Sequence, residues 1–372
     1  MFSNRAHWNA PTNRLTLARQ AYRGTLLDLT NSNPTKAGLV YPLDELAEVM
    51  SRAASAPYDP QPLGIASARE AVARDLGCDA GDIVITASTS EAYSFLFKLL
   101  CDPGDAVLTA RPSYPLLEHL AALELIDLPY FALEFHQRWE VDSERLRAQI
   151  TDRTRAILVV NPNNPTGSYV TAAEQDSIAR FGLPVISDEV FHPFAFRESG
   201  PSFVRDDVLT FTLGGLSKSA GLPHYKLGWI RVSGPGKAAA IDALELIADN
   251  FLSVATPVQV ALPELLAIAP RIREAIRIRT SQNLASLQAM LANYPAARVL
   301  PVEGGWSAII RVPRIESDEA LALRLIEEHG VVVHPGYFFD FETEGHIVVS
   351  LLTENALFEE GIARLISSLL RT

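Results

Sequence analysis

Ile83-Val84-Ile85-Thr86-Ala87-Ser88-Thr89-Ser90-Glu91 opens the run of alternating patterns that decides the fold. Its first four residues are β-branched and read as a strand. Ser88-Thr89-Ser90-Glu91 then has the Ser-x-x-Glu form of a capping box. The helix it starts carries Ala92, Phe95, Leu96 and Leu99 on one face. Ala106-Val107-Leu108-Thr109 follows as a strand, then Arg111-Pro112-Ser113-Tyr114-Pro115 and a helix through Leu125. Ala156-Ile157-Leu158-Val159-Val160 and Leu183-Pro184-Val185-Ile186-Ser187 are apolar runs, as a sheet covered on both faces requires. The alternation predicts an α/β fold built on a mostly parallel sheet.

Upstream, Leu26-Leu27-Asp28-Leu29-Thr30 reads as a short strand before the polar turn Asn31-Ser32-Asn33-Pro34-Thr35. Helices are expected over residues 43–54 and 66–76, the second closed by Gly77. Downstream, helices are expected over about 237–251 and 270–292. The second carries Arg271, Arg273, Arg277 and Arg279, which read as a solvent-exposed face. Beyond about 297 the pattern changes to short strands and helices, which predicts a second, α+β unit. The expected division is 41–270 for the large unit, and 1–40 with 271–372 for the small one, to which the N-terminal arm returns.

The 372 residues are enough for one large core or two. With 44 acidic against 32 basic side chains, the net charge of −12 argues against nucleic acid as the main partner. Cys78 and Cys101 make neither a disulfide framework nor a metal cage, and their number fits a reducing compartment. The stretch from Met1 to Pro11 has no apolar signal region, and no run reaches the ~18 apolar residues of a membrane helix. A cytoplasmic protein is expected, with no bound metal.

Four loops that follow core strands carry polar groups, and in an open α/β sheet such loops form the ligand crevice. Ser88-Thr89-Ser90 at a helix N-terminus suits a phosphate, although a plain cap has the same form. Asn161-Pro162-Asn163-Asn164-Pro165-Thr166-Gly167 can hold an asparagine amide rigidly, or be a tight turn. Ser187-Asp188-Glu189-Val190 places an acid at a strand end, where a helix cap is the ordinary alternative. Gly214-Gly215-Leu216-Ser217-Lys218-Ser219-Ala220-Gly221 places a lysine on a small-residue turn between two core strands. A lone lysine there is more often a surface residue. Beside the other three loops it completes a set that pyridoxal phosphate requires: a phosphate cradle, an amide donor, a buried acid and a reactive amine.

With these motifs in this order, the chain resembles the aspartate-aminotransferase-like, fold-type I family of pyridoxal-phosphate enzymes, in its class I/II aminotransferase branch. The resemblance runs from about Asn31 to the C-terminus and implies a large sheet domain with a smaller α+β domain. It implies that Lys218 forms the Schiff base with the cofactor and shuttles the proton. It implies that Asp188 pairs with the pyridine nitrogen, Asn164 holds the phenolic oxygen, and Thr89, Ser90, Ser217 and Lys226 lie at the phosphate. Tyr114 would stack on the ring, and Tyr58 would reach a neighbour's phosphate across a homodimer interface. Asn33, or the backbone beside it, and Tyr337 would lie at the substrate. The implied reaction is transfer of an amino group between an amino acid and a 2-oxo acid, within amino-acid metabolism and biosynthesis.

The sequence also departs from the family. Phe191 replaces a tyrosine that donates to the phenolic oxygen, so the lysine–cofactor link should hold its proton more tightly. Ser88 and Gly215 stand where a glycine and a phosphate-binding serine are common. At the register of the carboxylate-binding arginine the sequence reads Val348-Val349-Ser350. Tyr337, His334 and Trp306 lie on stretches that should approach the cleft, where core packing is as common a role. The missing arginine leaves other pyridoxal-phosphate chemistry open, such as a C–S β-lyase or a decarboxylase. A non-catalytic regulator is disfavoured because no basic helix pair accompanies the fold. A nicotinamide dehydrogenase is set aside because no Gly-x-Gly-x-x-Gly follows a strand.

Overall fold

The computed structural model describes Ser3, Arg5 and residues 11–370. Most of the first ten residues, where the expected arm begins and where a signal region was sought, lie outside the described residues.

The large sheet has seven strands, in the order Ile83–Thr86, Gly228–Ser233, Thr210–Gly215, Val185–Asp188, Thr154–Val160, Ala106–Arg111, Tyr130–Ala132. Gly228–Ser233 runs antiparallel to both its neighbours, and the remaining pairings are parallel. Parallel strands need crossovers, so helices cover both faces. Val84, Leu158, Ile186 and Phe211 pack with the helices Thr89–Leu100 and Lys237–Asp249. Ile157, Val159 and Val185 pack with Ile178 of the helix Ala172–Ala179. Burial on both sides is why these strands read as unbroken apolar runs.

A second sheet is antiparallel and orders Arg298–Val299, Ser307–Arg311, His346–Ser350 and His334–Pro335. Leu27–Asp28 pairs in parallel with Val331–Val332, which brings the N-terminal strand to the C-terminal part of the chain.

Two local expectations are corrected. The helix expected from residue 270 is Thr256–Leu291, with Pro263 and Pro270 inside it. A proline removes one backbone hydrogen bond from a helix. Here a continuous apolar stripe outweighs that loss, with Leu262, Leu265, Ile272 and Ile276 in one core and Leu284, Leu287 and Leu291 in another. Its arginine face is not merely solvated. Arg271 and Arg277 do pair with Glu45 and Glu274 at the surface. Arg273, however, donates from Nε to Ser219 O at 2.6 Å, and Arg279 from Nη1 to Ala37 O at 2.7 Å. Half of the face therefore ties down loops beside Lys218.

Candidate active site

The strands Thr154–Val160, Val185–Asp188 and Thr210–Gly215 are parallel, so their C-terminal ends share one edge. Asn161, Asp188 and the lysine turn therefore emerge together. Asn161 N donates to Asp188 O at 2.8 Å, which locks two of these ends side by side.

The Asp188 carboxylate is buried. Its Oδ2 accepts from the Tyr93 hydroxyl at 2.7 Å and its Oδ1 from Val190 N at 3.1 Å. Burial raises its pKa above the ordinary carboxylate value, against the pull of those two donors. Tyr93 sits on the helix that the Ser88 loop starts, and burial beside Asp188 pushes its hydroxyl well up.

Lys218 lies in the four-residue helix Leu216–Ser219 between two strands of the sheet. Gly221, at φ +66, turns the chain back, and a Cβ there would stand 2.7 Å from Ile272 of the long helix. Only a glycine lets the turn lie this close. The amine donates to Ser32 O at 3.2 Å and lies 5.4 Å from the centre of the Trp306 ring. Burial lowers its pKa, and Asp188 offsets part of that shift. A lowered pKa leaves more of the amine neutral and nucleophilic.

The Asn31–Asn33 turn reaches this amine because strand His346–Ser350 holds it. Ser350 Oγ donates to Asn31 O at 2.6 Å, and Ser350 N to Leu29 O at 2.7 Å. Asn33 spends its own Oδ1 on Thr35 N and Oγ1. The backbone beside Asn33 therefore faces Lys218. Val348, two residues before Ser350, is 1% exposed and packs with Leu300, Ile309 and Phe339.

At the helix start, the Ser88 hydroxyl accepts from Glu91 N at 3.2 Å. Glu91 reaches Ala87 N at 2.6 Å rather than Ser88 N, so the expected reciprocal box is shifted by one residue. The amides of Thr89 and Ser90 have no protein acceptor among the described residues. Gly228 backs this cradle, since a Cβ there would stand 3.1 Å from Thr89 N and 3.0 Å from the Ser88 carbonyl carbon. Ser217 is half-buried. Lys226 is exposed, holds φ +49, and has no ion-pair partner among the described residues.

The remaining expected residues divide. Tyr114 is half-exposed; burial, and then the charge of Asp188, raise its hydroxyl pKa. Asn164 Oδ1 accepts from Ser307 Oγ at 3.4 Å, and Asn164, Phe191, Gly305 and Trp306 line one small cavity. Tyr58 is 73% exposed and lines a surface hollow with Gln61, Leu252 and Thr256, outside the Lys218 cluster of its own chain. Tyr337 also lies elsewhere: the turn Gly336–Phe339 sets it edge-on to Phe338 and beside Glu319. His334 packs near Phe338 and Phe339 on the small sheet. One group escaped the sequence reading. Tyr93 could have been found, because a tyrosine on a buried helix face needs a partner for its hydroxyl. The backbone beside Asn33, which the resemblance set near the substrate, meets Lys218 through the Ser32 carbonyl.

The donor set fits pyridoxal phosphate. A buried carboxylate short of donors suits a cationic ring nitrogen, uncapped helix amides suit a phosphate, and a buried amine suits an aldehyde.

Comparison with known proteins agrees. The chain is 33% identical over 226 residues to nicotianamine aminotransferase 1 of Oryza sativa, matching 56% of its own length and 45% of that protein. It is 25% identical over 378 residues to glutamate-pyruvate aminotransferase AlaA of Haemophilus influenzae, covering 95% of this chain and 93% of that one. Its fold superimposes on the alanine aminotransferase from Pyrococcus furiosus with a TM-score of 0.90, at 23% identity and over 100% of both chains. The family model for aminotransferase class I and II matches residues 27–365. With that match spanning both sheets and the lysine turn, the chain belongs to the class I and II aminotransferases.

Proposed function

We propose that this aminotransferase moves an amino group between an amino acid and a 2-oxo acid with pyridoxal 5′-phosphate as cofactor. The observation that carries the reading is the placing of the Lys218 amine, held to Ser32 O, at the same sheet edge as the buried Asp188 carboxylate, which accepts from Tyr93 and Val190 N. The cofactor, when bound, supplies an aldehyde for the amine and a cationic ring that spreads negative charge from the substrate's α-carbon. Asp188 holds a proton on the ring nitrogen, and Tyr93 and Val190 N fix the carboxylate for that task. The Thr89 and Ser90 amides and hydroxyls, Ser217 and Lys226 bind the phosphate. Asn164 would offer its amide to the cofactor's ring oxygen, and Tyr114 would stack on the ring. Lys218 Nζ would take the proton from the amino donor's α-carbon, pass it to the cofactor, and in the second half-reaction deliver a proton to the carbonyl carbon of the 2-oxo acid as it becomes the new amino acid. The backbone of Ser32 and Asn33 lies over the substrate and keeps water from it.

Tyr58 serves a second copy in this reading. Its exposure, with that of Val40, Leu43 and Leu246, suits a homodimer interface. A monomer with full activity by light scattering would overturn that assignment. The large and small units, divided as the sequence predicts, would form the two walls of the cleft. Among the described residues no helix is long and apolar enough to cross a membrane. Cys78 and Cys101 are free thiols, which supports a cytoplasmic setting, and cell fractionation tests it.

The deciding experiment adds amino acids singly to the cofactor-loaded protein and follows absorbance, oxo acid and ammonia. Transfer predicts one oxo acid per site and no ammonia. Released ammonia or carbon dioxide would instead show elimination or decarboxylation.

A further inference from the structure

Resting on the aminotransferase reading, we infer that Trp306 sets the substrate preference: its ring is an apolar wall for the amino donor's side chain, selecting a large apolar group over an acidic one. The ring centre lies 5.4 Å from Lys218 Nζ. An amine exchanged at that nitrogen carries its α-carbon one bond away, at about 1.5 Å. Directed at the ring, that α-carbon stands about 4 Å from its centre, so the first atoms of the side chain already meet the indole.

The wall is fixed and extended. Trp306 is 3% exposed, with Phe191 and Phe194 edge-on at 5.2 and 5.1 Å between ring centres. Its backbone is pinned by Leu351 N, which donates to Trp306 O at 2.7 Å, and its neighbour Gly305 N donates to Phe194 O at 2.9 Å.

The cation recorded over this ring is the Lys218 amine itself, which the reaction engages, and Phe191 and Phe194 make the rest of the wall apolar. Asp188 is the charge that acts on the Lys218 amine. Arg273 and Arg279, which hold the adjoining loops, donate to the carbonyls of Ser219 and Ala37. A carboxylate pressed against Trp306 would lose its water without gaining a partner, whereas an apolar side chain gains by burial. The preference should amount to roughly 10- to 100-fold in kcat/KM.

The test compares phenylalanine and leucine with aspartate as donors, using cofactor-loaded wild type, W306L and W306F. Calorimetric titration with 3-phenylpropanoate and succinate, which carry no amine, adds a readout independent of turnover. Wild type should favour the apolar donors and bind 3-phenylpropanoate at least about tenfold more tightly than succinate. W306L should lose most of both preferences and W306F should keep them. Among the described residues the indole N–H has no acceptor, so W306F also separates that donor from the ring. The inference is overturned by a wild-type preference for aspartate, by an unchanged ratio in W306L, or by an equal loss in W306F. A wild type that transfers from no amino acid at all fails the aminotransferase reading instead.

Discussion

On one side of the strand end Val185–Asp188, the Glu189 carboxylate accepts from Asn161 Nδ2 at 3.2 Å, Ser187 Oγ at 2.9 Å, Ser202 Oγ at 2.6 Å and Phe203 N at 2.7 Å. Next to it, Asp188 accepts, among the described residues, from Tyr93 and Val190 N, and its pKa is raised by burial. Successive residues on an extended chain point to opposite faces, so the two acids meet different surroundings although they are chain neighbours. Glu189 is saturated by donors of its own fold, which identifies it as a joint between loops. Asp188 keeps unused acceptor capacity toward a buried amine, which identifies it as a ligand's partner. Donor count separates the two roles where burial cannot, since the residues are 6% and 8% exposed.

The sharpest break on the Asp188 side is K218A. Removing the group that moves the proton should lower the rate of amino transfer by about 10³-fold or more, with the melting temperature kept. A K218A rate within tenfold of wild type would remove the lysine from the chemistry. On the Glu189 side, E189A removes an acceptor shared by donors of four residues, of which Asn161 Nδ2 keeps Pro201 O. Urea unfolding of the cofactor-free protein should show a loss of about 3 kcal/mol. If E189A were as stable as wild type, the saturated acid would not be a joint, and the comparison would fail. D188N should behave oppositely. The amide keeps the shape, so cofactor-free stability should stay within about 1 kcal/mol of wild type. Affinity for pyridoxal phosphate, measured by equilibrium dialysis, should fall by at least about tenfold because the ring nitrogen loses its counter-charge. Equal affinity in D188N would detach Asp188 from the cofactor.

Asp188 and Lys218 were legible because each closes or follows an apolar run, and the chain itself marks where the strands end. The α/β alternation was legible for the same reason. Backbone partners left no trace in residue type: the carbonyls held by Arg273 and Arg279 were not legible, and the backbone beside Asn33 was reached by resemblance alone. Periodicity also hid Tyr93, because the helix face is counted by its apolar members. The start of the long helix was missed because Pro263 and Pro270 look like boundaries until the buried stripe through them is seen. Val348 shows the reverse case. Its register was read by resemblance, and the structure adds that the position belongs to the core of the small sheet.

His334 supplies a control outside the cluster. It is a half-buried titratable group with an aromatic setting and no place in the Lys218 arrangement. Burial lowers its pKa to about 4, from an unfolded value near 6.5. Between those values the unfolded chain binds the proton and the folded one does not. The folded state is therefore favoured above pH ~6.5 and loses that advantage as pH falls toward 4. Asp318 works the other way. Burial raises it to about 6, so its protonated folded form is favoured at low pH and that advantage fades as pH rises from its unfolded value of about 4. The two partly cancel, and both sit away from the cofactor end of the large sheet. H334Q should flatten the acid side of the stability profile by about 1 kcal/mol between pH 7 and pH 5, while leaving pyridoxal-phosphate affinity as it is. An unchanged profile would show that the imidazole charges freely in the folded protein. A loss of cofactor affinity would show that unmet polar capacity is not confined to the Asp188 side, and the distinction between joint and ligand partner would have to be redrawn to include the small sheet.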